Sequence, residues 1–254
     1  MAAHGMTLDV AAWASPWRTR SVRDKAVLAG GLLVAAVALP AWPGGLLAGL
    51  ASLVLLVGPA GLGWRRLGRI SWLPLVSILI GVATVAVSVS WDGGVRLAVT
   101  PSGLTTAGGL AGRALAAVLA MFLLAATTPM ADLLAGLRAL RVPDPLIEIA
   151  ALVYRLTFGL LESLGSIHEA QAARLGYATR RAAMSSAAMA STAIFLRSWD
   201  RASRLEAGLA GRGYEDSLRT ISPPKRRSTA FLVASLALIG AIGTAAAVWA
   251  VVAP

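Results

Sequence analysis

The sequence predicts an all-α integral membrane protein with about five transmembrane helices and a further set of amphipathic helices on the cytoplasmic side. Three observations carry that class. Hydrophobic residues make up 57% and charged residues 14% of the 254 positions, whereas an average soluble domain carries about 25% charged residues. Several runs are apolar over the ~20 residues that a helix needs to cross a bilayer core. The lysines and arginines fall between those runs on alternate sides, as cytoplasmic loops require.

Residues 1–25 form a cytoplasmic N-terminal segment that carries Arg18, Arg20, Arg23 and Lys25. A basic stretch before an apolar one also opens a signal peptide. Here the apolar stretch is too long and no small-residue cleavage site precedes a soluble domain, so the segment is expected to be retained. From Ala26 to Ala60 no residue is charged, which is too long for one ordinary span. Pro40-Ala41-Trp42-Pro43-Gly44-Gly45 interrupts this run with helix breakers, so two short spans joined by a tight turn are expected. Ile70 to Ser90 and Thr106 to Thr127 supply two more spans, so residues 26–128 hold transmembrane helices 1–4. Residues 229–254 hold the fifth, from Thr229 to Val252.

Charge bias tests this count. The first turn, around Trp42, is uncharged; the next loop holds Arg65, Arg66 and Arg69, and the one after it only Asp92 and Arg96. The Met130 to Ser228 segment holds fourteen of the 23 basic residues against nine acids. Five spans put every basic segment on one face, with the N-terminus inside and the C-terminus outside. A single span over Ala26 to Ala60 would place the N-terminal arginines opposite the large basic segment. The net charge of +11 is thus assigned to cytoplasmic loops and anionic headgroups, and no nucleic-acid partner is expected.

Residues 129–228 read as helical, and no strand pattern is visible anywhere in the chain. Thr128-Pro129 and Asp144-Pro145 each place a capping side chain before a proline, as at the first turn of a helix. From Pro145 to about Arg181, Leu146, Ile149, Leu152, Val153, Leu156 and Leu160 recur at helical spacing, with Glu148, Arg155, Glu162 and Glu169 interspersed. A further helix is expected from Ala182 to about Gly211, and Ser222-Pro223-Pro224 breaks the chain before the last span. Two short arginine sequences, Ala173-Arg174-Leu175-Gly176 and Gly211-Arg212-Gly213-Tyr214, stand near the ends of these helices. Small flanking residues allow another backbone to approach, and a guanidinium can engage a carboxylate bidentately where lysine cannot. On spacing alone, a glycine near a helix end also serves as a C-cap, with Arg212 as a partner of the helix dipole.

Several chemistries find no support. Cysteine is absent, which excludes disulfides, thiolate metal sites and cysteine nucleophiles. Lys25 and Lys225 are the only lysines and neither follows a phosphate-binding loop, so the chain is not expected to hydrolyse ATP. His4 would stand third after loss of Met1, a spacing that binds copper or nickel, and His168 lies near Glu162, Glu169 and Gln171. Neither makes a convergent ligand set, and no metal site is assigned. A membrane enzyme acting on lipids would need clustered carboxylates or histidines, yet Asp92 and Asp144 stand apart from other acids. A self-sufficient permease would need several polar groups inside its spans. Arg113 is the one such charge, about two turns from the outer side, where it would snorkel or face a partner helix. Gly45 with Gly49 and Gly108 with Gly112 are Gly-xxx-Gly pairs that can bring a partner helix close.

The stretch from Ala139 to Tyr214 also carries Val142-Pro143, Tyr154-Arg155, Phe195-Leu196-Arg197-Ser198 and the closing Gly-Arg-Gly-Tyr. With the five-span layout, these residues resemble the T component of energy-coupling factor transporters, in particular the CbiQ-type subunit of cobalt importers. The resemblance implies a non-catalytic scaffold in a prokaryotic plasma membrane, working beside two ATP-binding-cassette ATPase subunits. A CbiM-like membrane subunit that binds the substrate is implied too, with a small accessory membrane subunit in some complexes. The chain itself would hold no cofactor, since ATP and magnesium bind to the ATPases. In that family two Ala-Arg-Gly-like motifs end cytoplasmic coupling helices, and each arginine docks into one ATPase. The corresponding residues here are Ala173, Arg174 and Leu175, and Gly211, Arg212 and Gly213. The chain departs from the pattern at Leu175, in place of glycine, and at Gly211, in place of alanine. Cobalt is the implied cargo, with nickel or a vitamin such as biotin left open.

Overall fold

The computed structural model describes residues 2–91, 95–213 and 227–252. Asp92, Tyr214, the Ser222-Pro223-Pro224 break and Lys225 lie outside them. The chain divides into two units, Met1–Leu133 with Pro223–Pro254, and Leu134–Ser222.

In the first unit, α1 (Ala2–Ala14) leads through a short 3-10 turn into α2 (Val22–Ala38). Leu39-Pro40 ends α2, because proline has no N–H to donate and its ring clashes with the preceding turn. The chain reverses through Ala41–Gly45 into α3 (Leu46–Val57). Gly44 is required in this turn, since a Cβ there would lie 2.5 Å from the Leu39 Cβ. The uncharged run therefore splits where its prolines and glycines predict. A 17-residue helix such as α2 rises about 25 Å, close to a hydrocarbon core of about 30 Å.

The next helix, α4 (Trp64–Ala86), starts and ends earlier than expected. Arg65, Arg66 and Arg69 lie on its first two turns rather than in a loop. Its apolar run gives way at Val87 to β1 (Val87–Trp91), which pairs antiparallel with β2 (Val95–Val99). The reading of Ile70 to Ser90 as one span, and of a chain without strands, is corrected here. Val-Ser-Val-Ser-Trp alternates with a period of two, which suits a strand and not a helix face. Then α5 (Pro101–Thr127) begins five residues before Thr106, with Thr100 Oγ1 accepting from Gly103 N at 3.2 Å and Pro101 in the first turn. Arg113 is consequently thirteenth of 27 residues, mid-helix rather than two turns from an end. The last helix, α9 (Thr229–Val252), has the expected bounds. By length and composition α4, α5 and α9 can each cross a membrane, α3 with its leading turn is a shorter apolar helix, and the chain reverses between α2 and α3. Apart from the hairpin, the class is the all-helical membrane protein that the sequence predicts.

Four contacts set the direction of these helices. The Lys25 ammonium, 2% exposed, donates to the Thr127 carbonyl at 2.8 Å, at the C-terminus of α5. Its neighbour Asp24, 1% exposed, accepts from Ser228 N at 3.2 Å, at the N-terminus of α9. Ser15 Oγ donates to the Ala60 carbonyl just beyond α3 at 3.0 Å, and Trp17 meets Phe231 edge-to-face at 5.3 Å. The starts of α2 and α9 thus lie beside the ends of α3 and α5. At the opposite level Trp42 meets Trp249 at 6.3 Å. A cation at the end of α5 and an anion at the start of α9 each match the sign of the helix dipole there. Between these levels Leu28, Leu32, Leu56, Ala116, Ala120 and Leu123 form the packed core. Gly49 lies against α5, where an added Cβ would sit 3.2 Å from the Ala116 Cβ, and Gly45 lies over the Arg113 stem. That glycine pair serves packing inside the chain, not a partner, while Gly108 and Gly112 face open space.

In the second unit lie the end of α6 (Met130–Leu137), α7 (Asp144–Ala173) and α8 (Arg180–Ala210). Two helix starts fall where the prolines mark them, but neither expected cap is made. The Thr128 hydroxyl is buried with no partner among the described residues, and Asp9 Oδ1, from α1, accepts from Met130 N at 3.0 Å instead. The Asp144 carboxylate accepts from Arg138 Nε at 3.0 Å. Also, α7 stops at Ala173 rather than near Arg181, because the chain turns at residues 174–179 before α8.

Candidate functional site

Each arginine motif closes one of the two long helices of the second unit. At the end of α7, Gly176 N donates to Gln171 O at 2.9 Å and Leu175 N to Ala172 O at 3.0 Å. This is the paired bonding of a Schellman cap, which needs one left-handed residue. That residue is Leu175, at φ 58°. The turn is pinned on both sides. Ser186 Oγ donates to the Gly176 carbonyl at 2.9 Å, and a Cβ on Gly176 would lie 2.6 Å from that hydroxyl oxygen. Tyr177 stacks on His168 at 4.6 Å and donates to Gln171 Oε1 at 2.9 Å. Thr179 Oγ1 then caps α8 by accepting from Ala182 N at 3.2 Å. Arg174 sits at the cap itself, exposed, and no hydrogen bond or ion pair of its guanidinium occurs among the described residues.

At the end of α8, Gly211 N donates to Ala207 O at 3.0 Å and Gly213 N to Ala210 O at 3.2 Å. Here Gly213 takes the left-handed conformation, at φ 66°. Arg212, directly before it, is exposed and likewise without a side-chain partner among the described residues. In both motifs the arginine therefore immediately precedes the left-handed residue, and the guanidinium is exposed at the helix end.

The two helices run antiparallel. Gly159 of α7 lies under the Arg201 guanidinium of α8, and Gly176 lies against Ser186. Arg174 and Arg212 accordingly stand at opposite ends of α8, whose 31 residues rise about 45 Å. Between them the apolar side chains of Leu146, Ile149 and Val153 on α7, and of Phe195, Leu196 and Trp199 on α8, are exposed. Arg155 and Arg197 are exposed as well, while Tyr154 is half-buried and meets Phe158 edge-to-face at 4.8 Å. Within this unit few side chains are buried, among them Ile147 and Ala190, so its two long helices present most of their surface outward.

Among the described residues no group of three or more His, Cys, Asp or Glu side chains is placed to hold a metal ion. A cavity of about 300 Å³ beside α4 and α5 is apolar, lined by Leu67, Pro74, Leu75 and Leu119 with the Ser71 hydroxyl, which has no partner among the described residues. Both arginine motifs stand at helix ends, as the sequence predicts. The left-handed Leu175, which the backbone of the turn reveals, and the roles of Asp9, Asp24 and Lys25 were not legible in the sequence.

The family model for the CbiQ cobalt transport protein matches residues 14–221. Among curated proteins, the cobalt transport protein CbiQ of Rhodobacter capsulatus is 38% identical over 93% of this chain and 96% of its own length. A fused cobalt transport protein, CbiMQ, of Methanocorpusculum labreanum is 26% identical over 82% of this chain and 36% of its own length. An uncharacterized protein of Methanocaldococcus jannaschii is 30% identical over 49% of this chain and 46% of its own length. With the family model spanning both arginine-capped helices and most of the helices before them, the chain belongs to the CbiQ family of cobalt transport proteins, as a membrane component of such a system.

Proposed function

We propose that the chain is the transmembrane scaffold of an energy-coupling factor importer, linking two cytoplasmic ATPases to a membrane subunit that binds cobalt. The observation that carries this reading is the repeated geometry of Arg174 and Arg212, each exposed at a helix end just before a left-handed residue. An exposed arginine fixed at a helix end loses little conformational freedom on docking, and its planar fork suits a carboxylate. The length of α8 separates the two arginines enough to engage two separate ATPases. ATP-driven closure of those subunits would move the ends of α7 and α8, and the exposed apolar faces between them would pass the movement to the membrane partner. The fused CbiMQ relative supports a CbiM-like identity for that partner. The basic segments favour the arrangement with N-terminus and α7–α8 cytoplasmic. This chain contributes no catalytic group; cargo ion and nucleotide are held by the other subunits.

Arg174→Ala and Arg212→Ala, singly and together, test the reading in the purified complex. Each single change should weaken ATPase binding by about 30-fold, the loss usual for an interface arginine that acts as a hot spot. The double change should abolish both ATPase copurification and ATP-dependent cobalt uptake. Normal retention and uptake in the double variant would overturn the proposal.

A further inference from the structure

The turn after α7 puts a leucine where the turn after α8 puts a glycine. A left-handed conformation brings an L residue's Cβ against its own carbonyl, a strain that glycine escapes. Leu175 bears that strain at φ 58° and recovers little by packing, since it is 75% exposed. Strain that the chain does not relieve by its own contacts points to a contact outside it. The surroundings say what kind. From Gln171 to Trp199 the sequence holds Arg174, Arg180, Arg181 and Arg197 and no acid, and Tyr177 and Met184 are exposed close to Leu175 in the chain. The Arg212 end is different in character: Gly213 has no side chain to offer, and Glu215 and Asp216 follow Arg212 within four residues, whereas the acid nearest Arg174 in sequence is Glu169, five residues before it.

We infer that Leu175 is an apolar anchor that enters the ATPase together with Arg174, in a pocket that pairs a carboxylate with an apolar wall. The Arg174 end is then a two-point plug and the Arg212 end a one-point plug, so the two ends are not interchangeable. The inference rests on the scaffold reading above. It predicts effects of opposite sign for one substitution. Leu175→Gly removes the strain, so the purified chain should melt roughly 2–4 °C higher. The same change removes the anchor and should weaken binding of the purified ATPase subunit about tenfold. Leu175→Asn, a residue that adopts the left-handed conformation readily but is polar, should weaken binding similarly, and Leu175→Met should retain it.

Affinity is measured with the scaffold in nanodiscs of zwitterionic lipid and, separately, of lipid containing phosphatidylglycerol. Wild-type affinity in Leu175→Gly, with binding lost in Arg174→Ala, overturns the anchor and leaves the scaffold reading standing. A loss confined to nanodiscs with phosphatidylglycerol assigns Leu175 to the headgroup surface and overturns it also. Undiminished ATPase binding in the double arginine variant removes the scaffold reading itself.

Discussion

In the membrane unit, Asp24 and Lys25 lie almost fully buried and close hydrogen bonds to the ends of α9 and α5, whereas Arg174 and Arg212 of the second unit stand exposed without partners among the described residues. The same chemistry, a charged side chain at a helix terminus, does two jobs. In the first unit the charge belongs to another helix, so it ties elements distant in sequence into one bundle and cannot be removed without orphaning a buried backbone group. In the second the arginine caps its own helix, where an exposed charge contributes only about 0.3–1 kcal/mol through the dipole. Buried and paired charges therefore report on stability, and the exposed ones are those proposed to engage the ATPases.

Stability measurements on the purified subunit in detergent can overturn this contrast. Lys25→Ala should have the largest effect, because it strips the Thr127 carbonyl of its donor and leaves a void beside it. A loss of about 3 kcal/mol, or roughly 6–12 °C in Tm, is expected, and a wild-type Tm would mean that the buried ammonium is not a structural tie. Gly44→Ala should follow, at about 2 kcal/mol, since the new Cβ would lie 2.5 Å from the Leu39 Cβ and the turn between α2 and α3 must shift. Arg174→Ala should be the smallest, within about 0.5 kcal/mol of wild type, although it is the change expected to cost the most ATPase. If Arg174→Ala unfolded the subunit, its guanidinium would be a structural group like Lys25 and the distinction would fail.

Much of this architecture was legible from short stretches of sequence. The break at Pro40 and the turn through Gly44 announced two short helices, the run from Thr229 to Val252 announced the last span, and the arginine motifs stand where α7 and α8 end. The strand pair at Val87–Trp91 and Val95–Val99 was legible only in hindsight, because an apolar alternation of five residues at the end of a long apolar helix reads as more helix. Leu175 was visible as a departure from a motif, but its left-handed backbone was not.

Hydropathy, prolines and glycines act within a turn or two of the chain, so the membrane class, the break at Pro40 and the bounds of α9 could be read residue by residue. The partner of a buried charge could not. Asp9 caps a helix that begins at Met130, Asp24 meets Ser228, and Lys25 meets Thr127, pairings across more than a hundred positions. They exist because packing of α2 against α5 and α9 brings opposite helix termini to one level, and no local pattern specifies which termini will meet.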